Sequence, residues 1–116
     1  MARFFRFSLN FAFAFSAPQA GLLYNLKLRH KRGKPYTRTG DIIIAINPFQ
    51  WFTEIYTEKV RTLYSNKIVW TDSGEKDPRA SLEPHVYETS SLCYKGLAFE
   101  GQDQSILVSG ESGAGT

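Results

Sequence analysis

Cysteine is almost missing from this sequence. Cys93 stands alone, so no internal disulfide can form, and a lone thiol suits a reducing compartment better than a secreted scaffold. Long apolar runs are missing too. The aromatic-rich stretch between Phe4 and Phe15 is far shorter than the roughly twenty apolar residues a membrane helix needs, and no membrane partner is expected. Acid is missing from residues 1–40, which carry eight Lys/Arg, while all eleven acids lie in residues 41–116 beside six bases. Such asymmetry can mark a surface for anions or nucleic acid. The densest run, Arg29-His30-Lys31-Arg32-Gly33-Lys34, instead follows an apolar helical stripe and stops at Gly33 and Pro35. It reads as a solvated helix end, where cations favour the last carbonyls. No groove-reading motif accompanies it, so no nucleic-acid partner is expected. Internal repeats are absent as well.

What is present suffices for one small domain. Hydrophobic residues make up 42% of the 116 and aromatics 15%, enough for a packed core and too much for a disordered chain. Residues 1–19 read apart from the rest. A basic start, an apolar middle in which Phe11, Phe13 and Phe15 alternate as in a strand, and small Ser16 and Ala17 resemble a signal peptide. The same features fit a non-native start, and that reading is preferred because the remainder reads as cytosolic.

The remainder alternates helices and strands. Residues 20–32 suit a helix with Leu22, Leu23, Leu26 and His30 near one face, closed by Gly33. Residues 36–39 and the β-branched run 42–46 predict two strands of a hairpin about Gly40 and Asp41, stopped by Asn47 and Pro48. Thr57 caps a helix reaching about Tyr64, with Val60, Leu63 and Tyr64 as its buried side. Residues 71–82 form a polar loop. Pro84 opens a third helix with Val86, Ser90, Cys93 and Leu97 on one stripe, closed by Gly101. Residues 104–109 predict a second buried strand. The fold class expected is α/β, with buried central strands of a mixed sheet and flanking helices.

That last strand runs into Gly110-Glu111-Ser112-Gly113-Ala114-Gly115-Thr116. A buried strand feeding a glycine-rich turn is the setting of a P-loop, Gly-x4-Gly-Lys-Ser/Thr. Glycines let successive N–H groups face an anion, and a lysine reaches the terminal phosphates. Gly110 and Gly115 have the spacing, but Thr116 stands where the lysine belongs.

Residues 104–115 resemble the strand and P-loop of the myosin motor family. Four further blocks agree in order: Tyr24-Asn25-Leu26-Lys27-Leu28-Arg29; residues 36–49, from Tyr36-Thr37-Arg38-Thr39-Gly40 to Asn47-Pro48-Phe49; Tyr56-Thr57-Glu58-Lys59-Val60-Arg61; and Pro84-His85-Val86-Tyr87. The aromatic-bearing loop before Tyr56 is reminiscent of plant-like classes. The resemblance makes residues 20–116 a partial motor domain, an incomplete fragment truncated at its P-loop. It implies that Asn47, Pro48 and Tyr56 line the purine of ATP, and that Gly110, Glu111, Ser112, Gly113, Ala114, Gly115 and Thr116 wrap its phosphates. Where the family often carries a basic residue in the intervening loop, Trp51 stands. ATP and Mg²⁺ are implied by the family, and no catalytic residue or metal ligand is expected among these residues. Actin filaments are the partner of the full-length family, and no actin-binding region is recognised in these residues. The implied location is cytoplasmic and cytoskeleton-associated. Without the lysine and both switch loops, the chain alone is expected to be inactive and to bind ATP weakly or not at all. The alternative is a non-catalytic, truncated or degenerate product. Exposed strands at residues 42–46 and 106–108 are expected to favour aggregation and marginal folding.

Overall fold

The computed structural model describes residues 3–8, 17–72, 74–111 and 114, with side chains from residue 20 onward. The alternation Phe11, Phe13, Phe15 lies outside the described residues. Within the segment that reads apart in the sequence, Arg3–Ser8 form strand β1. Helix α1 covers Ala17–Lys31 and carries Arg29, His30 and Lys31 in its last turn, where they complement the helix dipole. It ends in a Schellman motif. Gly33 takes φ 68°, its N–H bonds the His30 carbonyl at 3.1 Å, and the Lys34 N–H reaches back to the Arg29 carbonyl at 3.0 Å. Of the predicted stripe, Leu26 is buried, whereas Leu23 faces solvent.

The hairpin forms in the expected register. Strands β2 (Tyr36–Thr39) and β3 (Ile42–Ala45) pair antiparallel, with Tyr36 opposite Ala45 and Thr39 opposite Ile42. Gly40 supplies the positive φ of 59° that a two-residue turn requires at its first position. Helix α2 (Glu58–Ile68) starts where Thr57 accepts the Val60 N–H. Helix α3 (Val86–Phe99) leads to strand β4 (Gln104–Ser109) through Gly101 at φ 61°. Two single turns of 3-10 helix, Thr53–Tyr56 and Pro78–Ser81, sit in the loops.

The four strands make one mixed sheet in the order β2-β3-β1-β4, with β1 parallel to both β3 and β4. Ile43 and Ile44 of β3 are buried, as the apolar run predicts. A second core lies between α2 and α3, where Tyr64, Ile68 and Leu82 pack with Val60, Tyr87 and Leu92.

Five expectations need correction. Leu63 does not join the buried side of α2 but is 46% exposed, while Tyr64 is buried and Val60 packs against the core. Residues 42–46 are not an exposed strand, because β3 lies between β2 and β1 and buries Ile43 and Ile44. Strand β4 is not buried: Ile106, Leu107 and Val108, which alternate between the two faces, are each about half exposed, so both faces lack full cover, and β4 is also one of the sheet's two edge strands. Helix α3 does not bury the stripe of Val86, Ser90, Cys93 and Leu97. Its buried residues are Glu88, Thr89, Ser91 and Gly96, and Leu97 lies outside. The reason is ionic and steric. Glu88 reaches Arg38 of β2, and Gly96 makes room for the Gln104 side chain, whose amide would meet an added Cβ at 2.5 Å. Pro84 precedes α3 rather than opening it, and His85 is the N-cap.

Candidate functional site

Because β1, β3 and β4 run parallel, their carboxyl ends share one edge of the sheet. Phe7 of β1 is level with Ile43 on one side and Val108 on the other. Two residues further along, Ala45 and Gly110 are therefore level, with Tyr36 beside Ala45. The loop after β3 holds Asn47 and Pro48, and the loop after β4 starts at Gly110. Both leave from the edge where ligands bind in open α/β sheets. From β2 to β4 is three strand spacings, about 14 Å.

Asn47 and Pro48 are half-buried. The Asn47 side-chain oxygen accepts the Phe49 N–H at 2.9 Å, an Asx turn that allows Phe49 its φ of 51°. The turn throws Phe49 and Trp51 outward, at 84% and 95% exposure, so neither contributes to a wall. Tyr56 closes the 3-10 turn after this loop, and its hydroxyl meets that of Tyr36 at 2.7 Å. That bond ties Tyr56 to the same sheet edge as Asn47 and Pro48. On the other side Gly110 and Ala114 are half-buried and Glu111 is exposed. Ser112, Gly113, Gly115 and Thr116 lie outside the described residues.

Around Tyr56 the structure gathers residues for which the sequence suggests no role. His85 is buried, and its ring lies 5.0 Å from that of Tyr36, 5.4 Å from Tyr56, 5.2 Å from Tyr64 and 4.2 Å from Tyr87. Its Nδ1 accepts the Tyr87 N–H at 2.9 Å, and its Nε2 lies 2.8 Å from the Ile55 carbonyl. An N–H can only donate and a carbonyl can only accept, so the ring is neutral with its proton on Nε2. Burial lowers the His85 pKa below 6.5. Burial, then the bond to Tyr56, pushes the Tyr36 hydroxyl well above the usual phenol range. The Tyr64 hydroxyl is raised by burial and by the nearby Glu88 and Glu83 carboxylates, and it donates to the Glu83 carbonyl at 2.5 Å.

Glu88 completes this frame. One carboxylate oxygen accepts from Arg38 Nε at 2.9 Å and the other accepts the His85 N–H at 3.2 Å, so the α3 cap and the β2 strand share one buried anion. A second concavity is lined by Arg29, Arg38 and Arg79. Its arginines are already engaged by Glu83, Glu88 and Asp77, which leaves it a structural ion network. Among the described residues, no group of His, Cys, Asp and Glu is placed to hold a metal ion, and no helix is long and apolar enough to cross a membrane.

Comparison with known proteins gives the family of the chain. The family model for the myosin head (motor domain) matches residues 15–116. Myosin-9 and Myosin-11 of Arabidopsis thaliana are each 41% identical to this chain over 97 residues. The match covers 84% of this chain and 6% of each relative. Unconventional myosin-VIIb of Mus musculus is 37% identical over the same share of the chain and 4% of its own length. The chain thus spans only a small part of the curated relatives it matches, and β1 lies outside the matched residues. By the extent of the family match and the identity to these relatives, the chain belongs to the myosin head (motor domain) family.

Proposed function

We propose that this chain carries the base-side wall and the beginning of the phosphate loop of an ATP site belonging to an actin-based motor. The observation that carries the reading is the shared sheet edge. Parallel β3 and β4 bring the loop of Asn47 and Pro48 and the loop beginning at Gly110 to one level, with Tyr56 bonded to Tyr36 beside them. Tyr56 offers a flat π face at 45% exposure, which fits a purine, and Asn47 adds a polar edge. Residues 110–116 would hold the phosphates through backbone N–H groups, and a bound Mg²⁺ would neutralise phosphate charge. Movement on actin, cytoplasmic location and association with the cytoskeleton follow from the family alone.

Hydrolysis needs charged and dipolar groups preorganised around the reacting phosphate, and Thr116 in place of the lysine withholds one of them. The second reading, a product with no significant nucleotide binding, rests on that substitution. Titration of the chain with a fluorescent ATP analogue and Mg²⁺ is expected to show only weak binding, held from the base side. Micromolar, Mg²⁺-dependent affinity would contradict this. Inserting lysine between Gly115 and Thr116, and continuing the chain through a following helix, should raise affinity. No gain from that extension would sink the phosphate-loop reading.

A further inference from the structure

We propose that Tyr36 is a positioning residue that locks the Tyr56 ring as a fixed platform for the base of a purine nucleotide. The inference rests on the base-site reading above and assigns the part that makes the platform rigid. Tyr56 is unusual in being both open and held. Nearly half of it faces solvent, yet its hydroxyl is bonded to that of Tyr36 at 2.7 Å and its backbone carbonyl accepts the Tyr87 hydroxyl at 3.4 Å. Its ring meets Tyr36, His85 and Tyr87 edge-on, at centroid distances of 6.5, 5.4 and 6.3 Å. An exposed tyrosine in a loop ordinarily samples several rotamers. Here those contacts leave one orientation, so a stacking ligand would not have to order the ring on binding.

Tyr36 is suited to fix the ring because it is itself fixed. It lies in β2, paired with Ala45, and its carbonyl accepts two bonds from the Arg29 guanidinium at 3.1 and 2.7 Å. Rigid strand position therefore passes to a loop residue through one hydroxyl pair. Neutral His85 packs against both rings, at 5.0 Å from Tyr36 and 5.4 Å from Tyr56, without bringing a charge to them.

Two-dimensional NMR of the 116-residue chain, following the Tyr56 ring during titration with adenosine and, separately, with inorganic pyrophosphate, tests this. Tyr36→Phe keeps the ring and removes only the hydroxyl. It is expected to weaken adenosine binding on the order of five-fold, the range of one hydrogen bond, and to speed flipping of the Tyr56 ring. Pyrophosphate should respond equally to both proteins. Tyr56→Phe cuts the same bond from the other side and serves if the first variant fails to fold. The double variant should lose no more than either single one, because both cut the same bond; additive losses would mean that the two hydroxyls act separately and would overturn the lock. Equal adenosine binding by the chain and Tyr36→Phe overturns the role of Tyr36 and leaves the base site standing. No adenosine signal at Tyr56 in the unmodified chain overturns the base-site reading, and the role of Tyr36 with it.

Discussion

At the scale of single residues, His85 joins the cap of α3 to the aromatic cluster, and both tasks need it neutral. A second ring proton would face the Tyr87 N–H across 2.9 Å. The folded chain therefore protonates His85 at a pH below the ordinary 6.5, while the unfolded chain takes up its proton at about 6.5. The unfolded state binds more protons in that window, so stability is complete above about pH 6.5 and declines as pH falls through it. Urea midpoints measured from about pH 7.5 to 5.5 should fall toward acid. His85→Gln should be less stable overall and show a flatter slope. An unchanged slope would place the acid sensitivity elsewhere. His85 is not among the usual capping residues, and the legible signal is Glu88 three residues on, the second half of a capping box. Tyr56 is marked in the sequence through the family pattern. The partners of Tyr56 are not, because Tyr36 lies 20 residues from it and Tyr87 lies 31 away, and no local periodicity records such contacts.

The elements are more legible, since their signals are local. Gly33, Gly40 and Gly101 end or turn the chain with positive φ where the sequence places them, and Thr57 caps α2. Thr57→Ala should cost about 1 kcal/mol by urea denaturation, the usual value for a cap oxygen. A loss near zero would mean that water replaces the 3.3 Å bond to Val60 without penalty. The buried face of α3 escapes the sequence pattern because its strongest contact is ionic. Apolar periodicity cannot reveal that Glu88, 1% exposed, pairs with Arg38 fifty residues away. Removing one partner of a buried pair strands the other. Glu88→Ala should cost about 3 kcal/mol, at the low end of the range because the Arg38 side chain keeps 20% exposure. By contrast Lys34 and Glu83, 2.9 Å apart but exposed, should yield a change under about 1 kcal/mol on Glu83→Gln, and less in salt.

At the scale of the whole molecule, two small cores take the place of one. The cluster of Tyr64, Ile68 and Leu82 lies between helices, the pair Ile43 and Ile44 lies in the sheet, and Arg38 with Glu88 connects them. The radius of gyration is 15.0 Å, against about 13 Å for a fully compact chain of this length. The α/β alternation predicts a buried β4 because an uninterrupted apolar strand usually has cover on both faces. Burial, however, depends on neighbours that the strand's own sequence does not specify. The consequence is testable. Residues 105–109, Ser-Ile-Leu-Val-Ser, carry no charge and no proline to protect an edge. They read nearly the same in both directions. Two copies pairing antiparallel about Leu107 would set Ile106 against Val108 and Ser105 against Ser109, matching like with like on both faces. Light scattering after size exclusion should therefore show association that grows with chain concentration. Leu107→Lys, at a position 54% exposed, should suppress association without changing helical signal, because it adds edge charge and empties no core site. If that variant associates as readily as the parent, the apolar contact lies elsewhere. The exposed aromatic group of Trp70, Tyr94 and Phe99 on the helical side is then the surface to change next.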